Sequence, residues 1–131
     1  MSEDHSLAQK TTIDPASLAE QQVLLLGEGH CFRDQVLDAC PGLREAIATG
    51  YGSGQAMLEG SSLETLKHMV ASGLGITVLP KTAADIAHYG ESRLTTRPFS
   101  DPAPTRSVAL AWRASYPRHK AIDILGDALR G

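Results

Sequence analysis

The 131 residues carry 42% apolar side chains and a formal charge of −3, enough for one modest core in a single domain. No lysine or arginine cluster stands out among the 12 basic residues, which argues against a chain that grips nucleic acid by itself, since phosphate contacts dominate such binding. No apolar run approaches the roughly 18 residues of a membrane span, and no signal peptide is recognisable, so a cytoplasmic location without membrane contact is expected.

Residues 1–12 are polar without periodicity and read as an entering linker. Asp14-Pro15 opens a short helix to about Gln21, because Asp caps well and Pro suits the first helical position. The run Val23-Leu24-Leu25-Leu26 reads as a buried strand, followed by the turn Gly27-Glu28-Gly29. Residues 32–40 carry a helical pattern (Val36, Leu37, Cys40), which Pro41-Gly42 ends. Residues 43–55 are ambiguous: Leu43, Ala46 and Ile47 suggest a helical turn before the glycine-rich stretch 50–54, which reads as a connector because it lacks the phosphate-loop pattern. Residues 55–58 form a plausible short strand.

Ser61 with Glu64 suggests a capping box, and Gly73 a C-cap, for a helix with Leu63, Leu66, Met69 and Val70 along one face. Ile76 to Leu79 reads as a strand stopped by Pro80, and residues 81–88 as another short helix. Residues 94–98 suggest an edge strand and 100–104 a stiff turn. Val108 to Trp112 reads as an apolar strand, and 120–130 as a final amphipathic helix bearing Ile122, Leu125 and Leu129. Strands alternating with helices argue for an α/β, three-layer lobe with a mostly parallel sheet. Ligands of such sheets bind at the carboxyl ends of strands, near helix N-termini.

Cys31 and Cys40 are the chain's two cysteines. Nine helical steps rise about 13.5 Å and turn about 900°, leaving the two side chains on opposite faces. A disulfide needs Cα atoms within roughly 4.4–6.8 Å, so a helical segment keeps the thiols apart until it unwinds. Cys31 falls at a strand-to-helix turn, where unpaired backbone N–H groups and the helix dipole favour an anion. His30 and Arg33 flank it and also favour a thiolate, whereas Asp34 opposes it unless paired with Arg33. Cys40 lacks these activators. The opposing reading is that both cysteines are small buried hydrophobes.

The stretch Gly29-His30-Cys31-x-Arg33-Asp34-Gln35, with a second cysteine nine positions on, resembles the sensing segment of the OxyR group, the hydrogen-peroxide-responsive branch of the LysR-type transcriptional regulators. A second match, Met69-Val70-Ala71-x-Gly73-x-Gly75-Ile76-x-x-Leu79-Pro80, is widespread in LysR-type effector domains and identifies the superfamily rather than a ligand. The resemblance implies a periplasmic-binding-protein-like fold. This chain would supply the second lobe (about 13–106) and a crossover strand with the last helix (about 107–131), lacking the DNA-binding domain and most of the first lobe.

It further implies a peroxidatic Cys31 and a resolving Cys40, joined reversibly in a disulfide that repacks a dimer surface in the complete regulator. His30, Arg33 and Arg106 would stabilise the thiolate or line the peroxide pocket, with Gly29, Asp34 and Gln35 in support. Surface solvation or ion pairing explains Arg33 and Arg106 equally well, and capping or turn roles explain Asp34 and Gln35. The implied partners are hydrogen peroxide as signal, further copies of the chain in a dimer or tetramer, and promoter DNA through the missing domain. A thiol reductant such as glutaredoxin or thioredoxin would reset the switch. No cofactor and no enzymatic turnover are expected. His30, Cys31 and Cys40 lack a fourth zinc ligand, and His5, His68, His88 and His119 show no ligand spacing. Two other classes remain: a thiol peroxidase, whose Pro-x-x-x-Thr/Ser-x-x-Cys surround is missing, and a metabolite-binding LysR-type lobe with incidental cysteines.

Overall fold

The structure, a computed structural model, describes residues 1–49, 58–86 and 93–131. Its organising element is the run 23–26. Leu24 N–H donates to Ile76 O (2.8 Å) and Ile76 N–H to Gln22 O (2.9 Å) on one side. Leu25 N–H donates to Leu58 O and Gly27 N–H to Gly60 O on the other. Strand β1 (Leu25–Leu26) thus pairs in parallel with β2 (Glu59–Gly60), in register Leu25 to Glu59, while Val23 bridges Ile76, also in parallel. A central parallel strand is covered on both faces, and all four residues 23–26 are buried.

Strand alternation sends these four side chains to two separate cores. Leu24 and Leu26 meet Leu66 and Val70 of α3 (Leu63–Ala71). Val23 and Leu25 meet Val36, Leu37 and Cys40 from α1 (Cys31–Ala39) and its C-cap, with Leu43 of α2 (Pro41–Thr49) and Leu18 of the 3₁₀ turn Pro15–Glu20. Helices on both faces of a parallel sheet make the expected α/β lobe. Among the described residues, no helix is long and apolar enough to cross a membrane.

Several expectations change. Residues 1–12 are folded, not a linker: Leu7 and Ala8 are buried in a 3₁₀ turn (Ser6–Gln9). The segment is held from far along the chain, which is why local periodicity missed it. Met1 ammonium donates to Thr95 O, and Arg97 donates to Ala8 O and Lys10 O. Pro41-Gly42 ends α1, but Pro41 also starts α2, because its fixed φ suits a first helical position. The ambiguous 43–49 is therefore helical, while the glycine-rich 50–54 and residues 55–57 lie outside the described residues. Pairing near the expected 55–58 strand is made by Glu59 and Gly60.

The cap of α3 is Ser62 rather than Ser61: Ser62 is extended and its Oγ accepts from Thr65 N–H, while Glu64 pairs with Lys67 (2.6 Å). Gly73, at φ +80°, closes that helix with Gly73 N–H to Val70 O and Leu74 N–H to Met69 O, a Schellman motif. Ile76–Leu79 makes one bridge rather than a strand. Lys81–Ile86 forms α4, and the expected extension to residue 88 lies outside the described residues. Phe99 pairs with Ile13 and Leu94 with Ser2, so the 94–98 edge serves the N-terminal segment.

Residues 108–112 form no ladder among the described residues, and Val108 is 81% exposed. A strand's hydrogen bonds need a neighbour, and the run's apolarity says nothing about whether one is present. Helix α5 (His119–Arg130) instead lies by this run, Gly126 passing close to Leu110, with Leu125 and Leu129 exposed.

Candidate redox site

The turn after β1 brings the chain back on itself. Gly29 takes φ +91°, a conformation that side chains rarely adopt, so the sharp entry to α1 suits glycine. His30 is the N-cap, in an extended conformation, exposed and without a side-chain cap bond. Cys31 is the first residue of α1 and is exposed. Its residue therefore opens the turn at the positive end of the helix, where the first backbone N–H groups lack i−4 partners, though Arg33 N–H donates to His30 O. Asp34 and Gln35 are exposed on the same helix.

Cys40 is the opposite in every respect. It is the C-cap of α1, its N–H donating to Val36 O (3.0 Å), and it is 0% exposed within the apolar cluster. Burial pushes its thiol above the ordinary range, because a thiolate there would lose its hydration. Both thiols are free. One ordered helix spans the sequence between them, and its rise over nine residues is about 13.5 Å, well beyond disulfide reach.

The two arginines sit differently from each other. Arg33 is only 7% exposed, and its Nη1 donates to Leu26 O and to Glu59 Oε1, each at 2.8 Å. Its guanidinium anchors the first turn of α1 to the ends of β1 and β2, with its charge matched by a carboxylate. Arg106 lies with its Cζ 5.7 Å from the centroid of the Phe32 ring, in cation–π range. A residue 75 positions from Cys31 in sequence is thereby placed against the side chain next to the exposed thiol. Glu59 and Phe32 complete this arrangement, and sequence reasoning passed over both. Phe32 adjoins the cysteine and was open to notice, whereas nothing local links Glu59 to Arg33 across 26 positions. Among the described residues, no group of three or more His, Cys, Asp or Glu side chains is arranged to hold a metal ion.

The arrangement comprises an exposed cysteine at the first residue of a helix, a cation stacked on the neighbouring Phe32 ring, and a second, buried cysteine at the helix C-cap. A groove of about 580 Å³, lined by Leu7, Ile13, Val70, Ile76, Val78 and Phe99 among others, lies elsewhere and involves neither cysteine.

The LysR substrate binding domain family matches residues 1–131. A protein of Streptomyces viridosporus named a probable hydrogen peroxide-inducible genes activator is 42% identical over 127 residues, covering 97% of this chain and 39% of its own length. The reduced form of the OxyR regulatory domain from Pseudomonas aeruginosa superposes with a TM-score of 0.81 at 51% identity, over 99% of this chain and 58% of that one. A further pair of OxyR crystal structures, reduced and oxidized, gives TM-scores of 0.70 and 0.63 at 31% and 30% identity, over 99% of this chain and 56% and 57% of those. The chain spans about two fifths of the length of the curated relatives it matches. With the family model matching its whole length and these identities across nearly all of it, the chain belongs to the LysR substrate-binding-domain family, in its OxyR branch.

Proposed function

We propose that this chain is the redox-sensing part of a hydrogen-peroxide-responsive transcriptional regulator, switched by a reversible Cys31–Cys40 disulfide. The observation that carries the reading is the placement of the two thiols on one helix, exposed at its first residue and fully buried at its C-cap. Cys31 thiolate attacks one peroxide oxygen, breaking the O–O bond and releasing hydroxide, which leaves a sulfenic acid. Cys40 sulfur then attacks the Cys31 sulfur, and the sulfenic oxygen departs as water with the Cys40 proton. Two electrons pass from the thiols to peroxide, and a dithiol reductant such as glutaredoxin or thioredoxin returns them.

Arg106 and His30 steady the thiolate and the leaving oxygen, and Arg33 contributes by fixing the turn on which they meet. Gly29, Asp34 and Gln35 shape that turn. Bond formation requires α1 to unwind. Closing the ten-residue loop costs about 2.7 kcal/mol of chain entropy on the loop-closure relation, and unpacking Val36 and Leu37 costs more. Oxidation by peroxide supplies that free energy. The remodelled segment repacks contacts between copies of the regulator, and the DNA-binding domain carried elsewhere in such proteins reads out the change at promoters. In this scheme residues 13–106 act as the second effector lobe and 107–131 as the crossover strand and closing helix. The chemistry is stoichiometric signalling, not turnover.

Mass spectrometry of the peroxide-treated protein tests the assignment. One equivalent of peroxide converts the wild type to an intramolecular Cys31–Cys40 bond, Cys31→Ser abolishes the fast reaction, and Cys40→Ser accumulates a sulfenic acid at Cys31. Equal reactivity of the two single-cysteine proteins would overturn the roles, and ligand binding unaffected by loss of both cysteines, with no disulfide, would favour a metabolite sensor.

A further inference from the structure

The anchor at Arg33 lies inside the segment that has to remodel. Arg33 belongs to the first turn of α1, two residues after Cys31, and its backbone N–H donates to His30 O (3.0 Å). Its side chain reaches the carbonyl of Leu26 at the end of β1 and the carboxylate of Glu59 on β2. Glu59 in turn sits over the start of the sensor turn: a side chain added at Gly27 would lie 3.6 Å from Glu59 Oε2. Arg33 is nearly inaccessible, while the Glu59 side chain is 39% exposed. A buried guanidinium without its carboxylate is far more costly than one with it, so the pair has a strong preference for the geometry in which it forms. The reverse substitution is much milder, because a half-exposed carboxylate can be solvated.

That geometry is the one with α1 intact. Residues 31–34 form one helical turn, and the turn's position fixes both where Cys31 faces solvent and how far it stands from Cys40. The C-terminal end of α1 is held differently, by apolar packing of Val36, Leu37 and Cys40. The helix is thus pinned at one end by charge and at the other by burial. Closing the 31–40 loop must release at least one pin. Cys40 runs directly into α2, whose first residue is Pro41 and which packs on the Pro15–Glu20 turn, Gly42 approaching Ala19 at 3.4 Å from the position of an added Cβ. The exposed end has no such covalent continuation into a packed helix, only the turn Gly27–His30, so the charged pin is the one that movement toward Cys40 strains first.

We propose, building on the switch described above, that Glu59 is a positioning residue of the sensor: its ion pair with Arg33 latches the first turn of α1 in the reduced state, and so sets how readily the dithiol is oxidised. The latch opens as Cys31 and Cys40 give up two electrons and two protons to an oxidant and their sulfurs join, and it re-forms when a dithiol reductant returns them. Glu59 touches neither thiol and acts only through Arg33.

The test is the thiol–disulfide equilibrium of the full-length regulator in glutathione redox buffers, measured for wild type, Glu59→Gln and Glu59→Asp, alongside thermal unfolding of each in both redox forms. Glu59→Gln favours the disulfide about tenfold, a potential roughly 30 mV more negative, and lowers the unfolding temperature of the reduced form more than that of the oxidised form. Glu59→Asp, which keeps the charge, restores at least half of that shift. An equilibrium within twofold of wild type in Glu59→Gln, or equal destabilisation of both redox forms, overturns the latch. Failure of the wild type to form the Cys31–Cys40 bond at all overturns the switch itself, so the two failures are distinct. Should Glu59→Gln not fold, Arg33→Met removes the other half of the pair, and an equilibrium within twofold of wild type in that variant overturns the proposal as well.

Discussion

Leu37→Ala separates a helix that must leave the core from one that need only flex. Leu37 is 9% exposed and packs in the cluster that holds Val36, Cys40, Leu18 and Leu43. Truncating a buried leucine costs about 2–5 kcal/mol, and a position at the core's edge falls near 2–3. The whole of that loss falls on the reduced form. If the 31–40 loop closes only after α1 unwinds, the oxidised form has already given up the packing of Leu37 and feels little of it. The difference appears as a shift toward the disulfide of roughly 30- to 150-fold, or about 40–65 mV. Denaturant unfolding of both redox forms reads the effect directly. Leu66→Ala is the control: Leu66 is 1% exposed on α3 in the other core, and its loss weakens both forms alike. Equal destabilisation of the two redox forms by Leu37→Ala would mean that α1 stays packed on oxidation, and the switch as drawn would fail.

Arg106 is exposed and makes its aromatic contact with Phe32, so Arg106→Ala changes stability by less than about 0.5 kcal/mol. It slows peroxide oxidation of Cys31 by about tenfold in stopped-flow measurements on the full-length protein, and an unchanged rate constant would remove this arginine from the site. Burial holds the Cys40 thiol protonated above its ordinary value of 9.0, so the folded reduced form keeps a proton that the unfolded chain releases. The corresponding stability is fully present below about pH 9 and is lost as pH rises through the raised value, as linkage requires. Unfolding of the reduced protein between pH 8 and 10.5 shows this slope, and Cys40→Ala flattens it; an unchanged slope in that variant would assign the titration elsewhere.

The helix between the two cysteines was legible because its defining residues fall within twelve positions, from Gly29 to Cys40, whereas their sensing roles were implied only by the family resemblance. The four-residue apolar run 23–26 announced a doubly covered strand for the same reason: each of its residues had to be buried, whichever face it took. Arg33 shows where such reading stops. Beside a cysteine it resembles an activator, but its charge is committed to Glu59, 26 residues away, through a pairing of β1 and β2 that no local pattern encodes. The N-terminal segment failed similarly, since Leu7 is buried with Leu18, Val23 and Ile76 and the segment is bonded to Arg93, Thr95 and Arg97 far along the chain. Val108 to Trp112 erred in the other direction. Its apolar composition specifies a strand, but strand hydrogen bonds belong to pairs of segments, and no partner for this run is found among the described residues.

On the proposed switch, what suits α1 to sensing is that its two ends answer to different forces. Reactivity with peroxide then requires an exposed sulfur near backbone N–H groups that lack i−4 partners, and the first residue of α1 provides that, on a turn anchored through Arg33 to Leu26 and Glu59. Resolution requires a second thiol that stays protonated and unreactive until it is needed, and burial provides that at the C-cap. A helix of nine residues is long enough to keep the two apart, yet too short to be stable without its packing. The cost of opening therefore resides in side chains other than the thiols: Val36 and Leu37 against the core, and Arg33 against Glu59. On the proposed switch, substitutions at Val36 and Leu37 shift the oxidation threshold more than the intrinsic reactivity of Cys31, because they act on the packing of α1 and not on the turn that carries the thiol.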